Sequence, residues 1–291
     1  MTHSAGKIPA LMNSASGTAD AARDALSAND AFELNEVAPD KLEDALRTLV
    51  GDAVPRLLVA GGDGTIATAA SALLKTEIEL AILPGGTLNH FASDLQIPSK
   101  AEDALALAVD GTSKPADVGM VNKRVFLNTS SAGTYVHFVR VREYLEPRFG
   151  YRIASFIAAL RVLFTFRTIS VEFEVDGQRK SYVTPMIFIG AGERELKLPL
   201  LGKRIPGGKR GLHVMIVKGR TPARLMAIGL NAVARGVKTA ARTPELDSFI
   251  VERCTITLRH EGRIAVDGEL VSLGTTLDYH IDRDAIKVVC P

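Results

Sequence analysis

An open α/β domain with a parallel sheet, followed by a β-rich domain, is the fold class this sequence predicts. Three observations point to it. Strand-like and helix-like stretches alternate through residue 114. After Asp110-Gly111 the pattern changes to short apolar runs, some separated by the turn pairs Asp176-Gly177 and Asp267-Gly268. Two strand-like runs of the first part end in glycine loops, Gly61-Gly62-Asp63-Gly64-Thr65 and Pro84-Gly85-Gly86-Thr87-Leu88-Asn89. The expected division is a first domain over residues 1–114 and a second over 115–291.

The elements of the first domain follow in order. Residues 8–12 form an apolar strand run closed by Asn13-Ser14-Ala15-Ser16-Gly17, and a helix is expected over 19–26. Residues 32–37 are a short strand. Pro39-Asp40 then opens a helix, with Asp40 as N-cap and Glu43 three residues on. Leu42, Ala45, Leu46, Leu49 and Val50 give that helix one apolar face. Residues 56–60 are a buried type of strand, 65–75 an alanine-rich helix, and 80–83 another strand. Ser99 and Glu102 look like a capping box for a helix over 101–109. In the second domain, strands are expected at 118–129, 170–175, 181–189, 212–217, 255–258, 263–266 and 276–281. Helical insertions are expected near 139–166 and 222–237.

Composition narrows the function classes. A chain of 291 residues fits about two domains. Apolar residues at 46% exclude disorder as the main state, and a net charge of +2 argues against a protein built to grip nucleic acid. Two cysteines, Cys254 and Cys290, cannot make a disulfide framework and fit a reducing compartment. No secretory type of apolar segment follows Met1, so a cytoplasmic protein is expected. The apolar run 153–166 contains Arg161 and falls short of the ~20 residues of a spanning helix. It reads as a buried helix ahead of an interfacial one. Ile153, Phe156, Ile157 and Leu160 suit core packing and the lining of a lipid pocket equally well.

The Gly61–Thr65 string is the strongest local signal. A strand, a glycine turn and a helix in succession present backbone N–H groups at a helix N-terminus, which suits phosphate. Asp63 is the odd residue, because a carboxylate against phosphates repels them. Its role is Mg²⁺ binding, proton acceptance or capping of the loop. The second glycine loop follows the next strand, and Asn13–Gly17 ends the first. All three belong at the carboxyl edge of a parallel sheet, where such folds bind ligands. Thr87 and Asn89 offer a hydroxyl and an amide to a ligand, or serve as helix N-caps. Asp267-Gly268-Glu269 alone is a hairpin turn. With Asp63 it supplies the second carboxylate that Mg-dependent phosphoryl transfer uses.

Other motifs fit less well. Gly202–Gly207 has the spacing of a Walker A loop, but Gly208 stands where Lys is required. Gly62, Gly64 and Ala67, with Glu77 or Glu79 downstream, match a dinucleotide fingerprint, yet the loop follows the third strand rather than the first. There is no H-E-x-x-H and no paired C-x-x-C, so structural zinc is not expected.

The ordered set resembles the diacylglycerol kinase family, which includes bacterial lipid kinases and sphingosine kinases and is related to NAD kinases. The resemblance rests on Gly61-Gly62-Asp63-Gly64-Thr65, on Pro84–Asn89 and on Asn13–Gly17. Asp117-Val118-Gly119, Phe126-Leu127-Asn128, Gly133 and Asp267-Gly268-Glu269 continue it. It implies a Rossmann-like nucleotide domain, a β-sandwich-like second domain and an active-site cleft between them. It also implies ATP, Mg²⁺ and a lipid hydroxyl as acceptor. On that reading Asn13, Ser16, Gly17, Gly61, Gly62, Gly64, Thr65, Gly85, Gly86, Thr87 and Asn89 hold ATP. Asp63 and Asp267 share the parts of proton acceptor and Mg²⁺ organiser, and Glu269 supports them. The sequence departs from the family at Ser14, Ala67-Thr68, His90, Ile189-Gly190-Ala191 and Lys209-Arg210-Gly211. The last replaces an acidic turn and weighs against a metal site there.

Lys203, Arg204, Lys209 and Arg210 form a basic run. It suits a solvated loop or contact with an anionic membrane, which leaves peripheral association with the inner membrane surface open. A homodimer also stays open. The rival readings are an NAD kinase-like phosphotransferase, a non-catalytic nucleotide- or lipid-binding protein, and an NAD(P) oxidoreductase.

Overall fold

The structure, a computed structural model, describes residues 6–14, 19–164, 167–196, 201–218 and 246–291. The chain forms two compact units, Met1–Val118 with Asp282–Pro291, and Gly119–Ile281. The sequence places the division at 114/115 and assigns everything after it to the second domain. The structure moves the division by four residues and returns the last ten to the first unit. The reason is the final strand. It was expected to stop at residue 281 but runs from Thr276 to Val289, and period-two hydrophobicity does not say which sheet a strand joins.

In the first unit β1 (Ile8–Asn13), α1 (Ala19–Ser27), β2 (Phe32–Val37), α2 (Leu42–Gly51), β3 (Arg56–Gly61), α3 (Asp63–Ala72), β4 (Glu79–Pro84), α4 (His90–Asp94) and α5 (Ala101–Asp110) follow one another. The strands pair in the order β2-β1-β3-β4, all parallel. Lys287 and Val288 of the final strand extend this sheet, parallel to Glu79 and Leu80. Leu57, Leu58, Val59 and Ala60 are all buried, as a parallel sheet covered on both faces requires. Ala22 and Leu26 of α1 and Ala104, Leu105 and Ala108 of α5 share a core with Met12, Leu58, Leu83 and Val289.

Two expected capping boxes are absent. A 3₁₀ turn over Pro39–Lys41 precedes α2, whose N-cap is Lys41, so Asp40 caps nothing. Helix α5 has Lys100 as N-cap, one residue past Ser99, and no side chain caps it. The far end of α5 is held instead by Arg56, whose guanidinium donates to the carbonyls of Ala108 (2.7 Å), Val109 (2.9 Å) and Gly111 (2.9 Å).

β5 (Ser113–Val121) carries the chain into the second unit. There β6 (Arg124–Phe126), β7 (Thr129–Gly133), α6 (Thr134–Phe164), β8 (Ile169–Val175), β9 (Gln178–Thr184), β10 (Met186–Ala191), β11 (Arg194–Leu196), β12 (Leu201–Arg204), β13 (Leu212–Val217), β14 (Leu246–Val251), β15 (Arg253–Leu258), β16 (Arg263–Val266), β17 (Glu269–Ser272) and β18 (Thr276–Val289) follow. The expected single strand over 118–129 is three strands, and that over 181–189 is two, parted at Pro185, which has no N–H to give a ladder. The helix expected over 222–237 lies outside the described residues.

One sheet of this unit has the order β14-β13-β10-β7-β16-β17 and is antiparallel. The first half of β18 pairs with β15, β15 with β8, and β8 with β9, also antiparallel. Both sets contribute to one core. Ile187, Val214 and Ile264 come from the first, and Phe173, Ile256 and Leu277 from the second. This is the expected sandwich. The hydroxyls of Ser130 and Tyr279 meet across it at 3.0 Å. Both turn pairs read from the sequence form tight hairpins with positive φ, Asp176-Gly177 (50° and 75°) and Asp267-Gly268 (47° and 87°). Both cysteines are buried free thiols, and burial pushes that of Cys254 up to about 12.

Candidate active site

The carboxyl ends of β1, β3 and β4 meet because parallel register aligns these strands. Met12 lies beside Ala60, Ala60 beside Leu83, and Gly61 beside Pro84. The loop chain ends are tied directly. Gly85 N–H donates to Gly61 O at 2.9 Å, and Asn13 Nδ2 donates to the Thr65 hydroxyl at 3.0 Å. Ser16 and Gly17 lie outside the described residues. A Cβ on Gly86 would stand 2.7 Å from Gly62 Cα, and one on Gly61 would stand 2.6 Å from Thr65 Cβ. The glycines are therefore needed for the loops to touch, as well as for a ligand to approach. Gly86→Ala is expected to cost about 1–3 kcal/mol of stability by overpacking. Gly51→Ala, with nothing within 4 Å, is the control without such a cost. Urea unfolding measures both.

Helix α3 begins two residues earlier than the expected residue 65. Gly62 is its N-cap, no side chain caps it, and its first backbone bond runs from Ile66 N–H to Gly62 O at 3.1 Å. Helical geometry leaves the amides ahead of that bond, from Asp63 to Thr65, without partners in the helix. Asp63 caps another helix. Its carboxylate accepts from His90 N–H (3.2 Å) and Phe91 N–H (3.3 Å), the first turn of α4. Asn89 is not an N-cap by its side chain. It adopts a left-handed backbone (φ 48°), and its amide makes two 2.8 Å bonds with Gly86, one to N–H and one to C=O. These bonds shape the loop and leave one N–H of Nδ2 and one lone pair of Oδ1 over. Thr87 is exposed on the same loop.

In the second unit, Asp267 sits in the β16–β17 turn with its side chain folded inward. Its Oδ2 accepts from Leu127 N–H at 2.7 Å, and its Oδ1 accepts from Asn128 N–H and Thr129 N–H, each at 2.8 Å. Burial pushes this carboxyl above its ordinary value, against the three amide bonds and the charge of Arg194. A carboxylate has about four lone-pair sites, so three amides leave one on Oδ2. Nearby, the buried Oδ1 of Asn128 has no hydrogen-bond partner. Glu269 faces outward, its carboxylate 2.7 Å from the Arg124 guanidinium.

Sequence reasoning missed Arg194. Its side chain is 2% exposed, and its guanidinium donates to the carbonyls of Ala191 (2.8 Å), Gly202 (2.9 Å) and Leu127 (3.1 Å). Leu127 is therefore held at both ends, its C=O by Arg194 and its N–H by Asp267. Beside them His213 Nδ1 accepts from Arg194 N–H at 2.9 Å, and burial lowers the histidine's pKa. The signal in the sequence was the run Gly190-Ala191-Gly192 ahead of a charged pair. Small residues make room for a large buried side chain. A Cβ at Gly190 would lie 2.4 Å from Arg194 Cγ.

Residues 7–121 match the diacylglycerol kinase catalytic domain. A probable lipid kinase YegS-like protein of Pseudomonas aeruginosa is 47% identical over 79 residues, 26% of each chain. The diacylglycerol kinase of Bacillus subtilis is 34% identical over 128 residues, 42% of this chain and 41% of its own. One from Staphylococcus aureus strain Newman is 27% identical over 86% of this chain and 82% of its own. The chain thus spans about a quarter to a half of the first relatives it matches. A putative diacylglycerol kinase structure from Bacillus anthracis superposes with a TM-score of 0.74 at 20% identity, covering 100% of this chain and 99% of that one. At that identity the likeness establishes the fold.

Several departures from the diacylglycerol kinase pattern now have local explanations. Thr68 bonds back to Gly64 O at 3.0 Å within α3. His90 opens α4 and gives its N–H to Asp63. In the Ile189-Gly190-Ala191 strand, Gly190 leaves the space that Arg194 fills. The Lys209-Arg210 turn is tied to Glu193, which accepts from Lys209 N–H at 2.7 Å. The dinucleotide-fingerprint reading fails on geometry. Glu79 starts β4, at the edge opposite the glycine loop. Burial pushes its carboxyl up, but bonds from Ser113 and Arg56 outweigh this and hold it low. Glu77 pairs with Lys287. Neither acid is beside the loop where a ribose would bind.

Among the described residues no three His, Cys, Asp or Glu side chains cluster as a metal cage. Taken unit by unit, Asp63 in the first, and Asp267 with the unpartnered Oδ1 of Asn128 in the second, are oxygen donors of the type Mg²⁺ takes when phosphate and water fill most of its shell.

Proposed function

We propose that this chain transfers the terminal phosphoryl group of ATP to a hydroxyl of a diacylglycerol-like lipid. The observation that carries the reading is the glycine-packed junction of β3, α3 and β4 in a segment matching the diacylglycerol kinase catalytic domain. The amides at the start of α3 bind the nucleotide phosphates, with Gly62 and Gly86 letting the backbone approach. Thr65, fixed by Asn13, and the exposed Thr87 complete the polar lining. Asp63 lies on the nucleotide side, and its grip on α4 fixes the second loop. Asp267 takes the proton of the acceptor hydroxyl at its remaining Oδ2 site, since burial makes it a better base than an exposed Asp. Arg194 acts through Leu127 to hold that carboxylate's cradle. Arg124 keeps Glu269 at the mouth of the same turn. Bound Mg²⁺ supplies charge neutralisation on the phosphate oxygens.

The test is γ-labelled ATP with Mg²⁺ and a panel of lipid hydroxyls and NAD. Labelled lipid phosphate is the expected product. Labelled NADP without lipid phosphate would assign the chain to soluble dinucleotides instead. Tight ATP binding with no transfer to any acceptor would make it a binding protein.

A further inference from the structure

The second half of helix α6 is amphipathic the wrong way round for a core helix, although the first half buries Val139 and Val141. The helix is kinked beside Pro147 at Gly150 (φ 72°, ψ 163°). Beyond the kink Ala154 and Ala158, one turn apart, are fully buried. On the opposite face Ile153, Phe156 and Leu160 are 54%, 65% and 42% exposed, and Phe149 just before the kink is 49% exposed. Between residues 153 and 160 three large apolar side chains thus face out while alanines face in and Ile157 is half-buried, which corrects the buried reading over that part of the run. A soluble helix puts the larger apolar groups inside. Basic charge accompanies that face at Arg148 and Arg152, whereas Arg161, three residues past Ala158, lies on the alanine side. From residue 148 to 164 the only charged residues are Arg148, Arg152 and Arg161, with no acid among them. Arg148 and Arg152 are exposed beside the stripe.

We propose that this face of α6 is a docking surface for an anionic lipid bilayer. Aromatic and aliphatic side chains enter the boundary of headgroups and acyl chains, while the arginines reach back to phosphate along their apolar stems. The helix lies in that plane, for no helix among the described residues is long and apolar enough to cross a membrane. A second copy of the chain fits worse. Two-fold pairing of this face with itself would bring arginines against arginines, with no acid on the stripe to balance them. The inference goes beyond the lipid-kinase reading, because binding is measured without ATP or acceptor.

The full chain is sedimented with phosphatidylcholine vesicles, with and without phosphatidylglycerol. Wild type should bind the anionic vesicles, weakly or not at all the neutral ones, and less as salt rises. Phe156→Ser with Leu160→Ser should weaken binding at least tenfold. Arg148→Gln with Arg152→Gln should remove the preference for phosphatidylglycerol. All four positions are exposed, so thermal melting should be unchanged and rules out misfolding. Phosphorylation of a short-chain, water-soluble diacylglycerol should also be unchanged in these variants. If wild type fails that reaction, the kinase reading falls while vesicle binding still decides this one. No binding, binding that the variants do not alter, or a wild-type dimer that Phe156→Ser dissolves would each overturn it.

Discussion

Asp267→Ala should lower stability by about 3–5 kcal/mol, the range for breaking a buried charge interaction, and should abolish phosphoryl transfer. The loss is large because the carboxylate serves three backbone amides, of Leu127, Asn128 and Thr129. Each buried amide left without an acceptor costs about 1–3 kcal/mol. Removing Asp267 also takes away the negative charge that faces buried Arg194. Urea unfolding at neutral pH reads the stability term. Asp267→Asn separates structure from chemistry. Its one oxygen can still serve Asn128 and Thr129, but its amide group cannot accept a proton. Wild-type turnover in that variant would leave Asp267 a purely structural residue.

Asp63→Asn is the second large effect, with the opposite balance. Its carboxylate is partly buried and makes two long bonds to α4, one of which an amide oxygen retains. Stability should fall by no more than about 1 kcal/mol, the usual worth of an N-cap. Turnover should fall by roughly 10³-fold, in the range for a positioned acid–base or charge-stabilising group. Steady-state assay and thermal melting on one preparation give both quantities. Near-normal turnover would remove Asp63 from the mechanism.

Much of the first unit was legible because its signals are local. Leu57–Ala60 reads as a two-sided strand from its apolar run, and Gly61–Thr65 reads as a strand–helix junction from its glycines. Non-local partners were not legible. Nothing near Asp63 in sequence reveals that it caps a helix 27 residues on. Arg194 carries no periodic signal, and its burial depends on carbonyls from residues 127, 191 and 202. Ser99 and Asp40 had the right residue types for caps but stood one residue from the positions the helices adopted. Ile153, Phe156 and Leu160 misled by being apolar, since composition cannot tell an inward face from an outward one.

The final strand bears on the order in which the chain is assembled during synthesis. Residues 282–289 finish the sheet of the first unit beside β4, and Val289 enters its core. A nascent chain therefore leaves the Glu79–Leu80 edge of β4 without this neighbour until residues 287–288 have been made, so the first unit cannot mature before the second has been synthesised. Until then a strand edge stands open to pairing with another chain, and a holdase acting before residues 287–288 emerge would shield it.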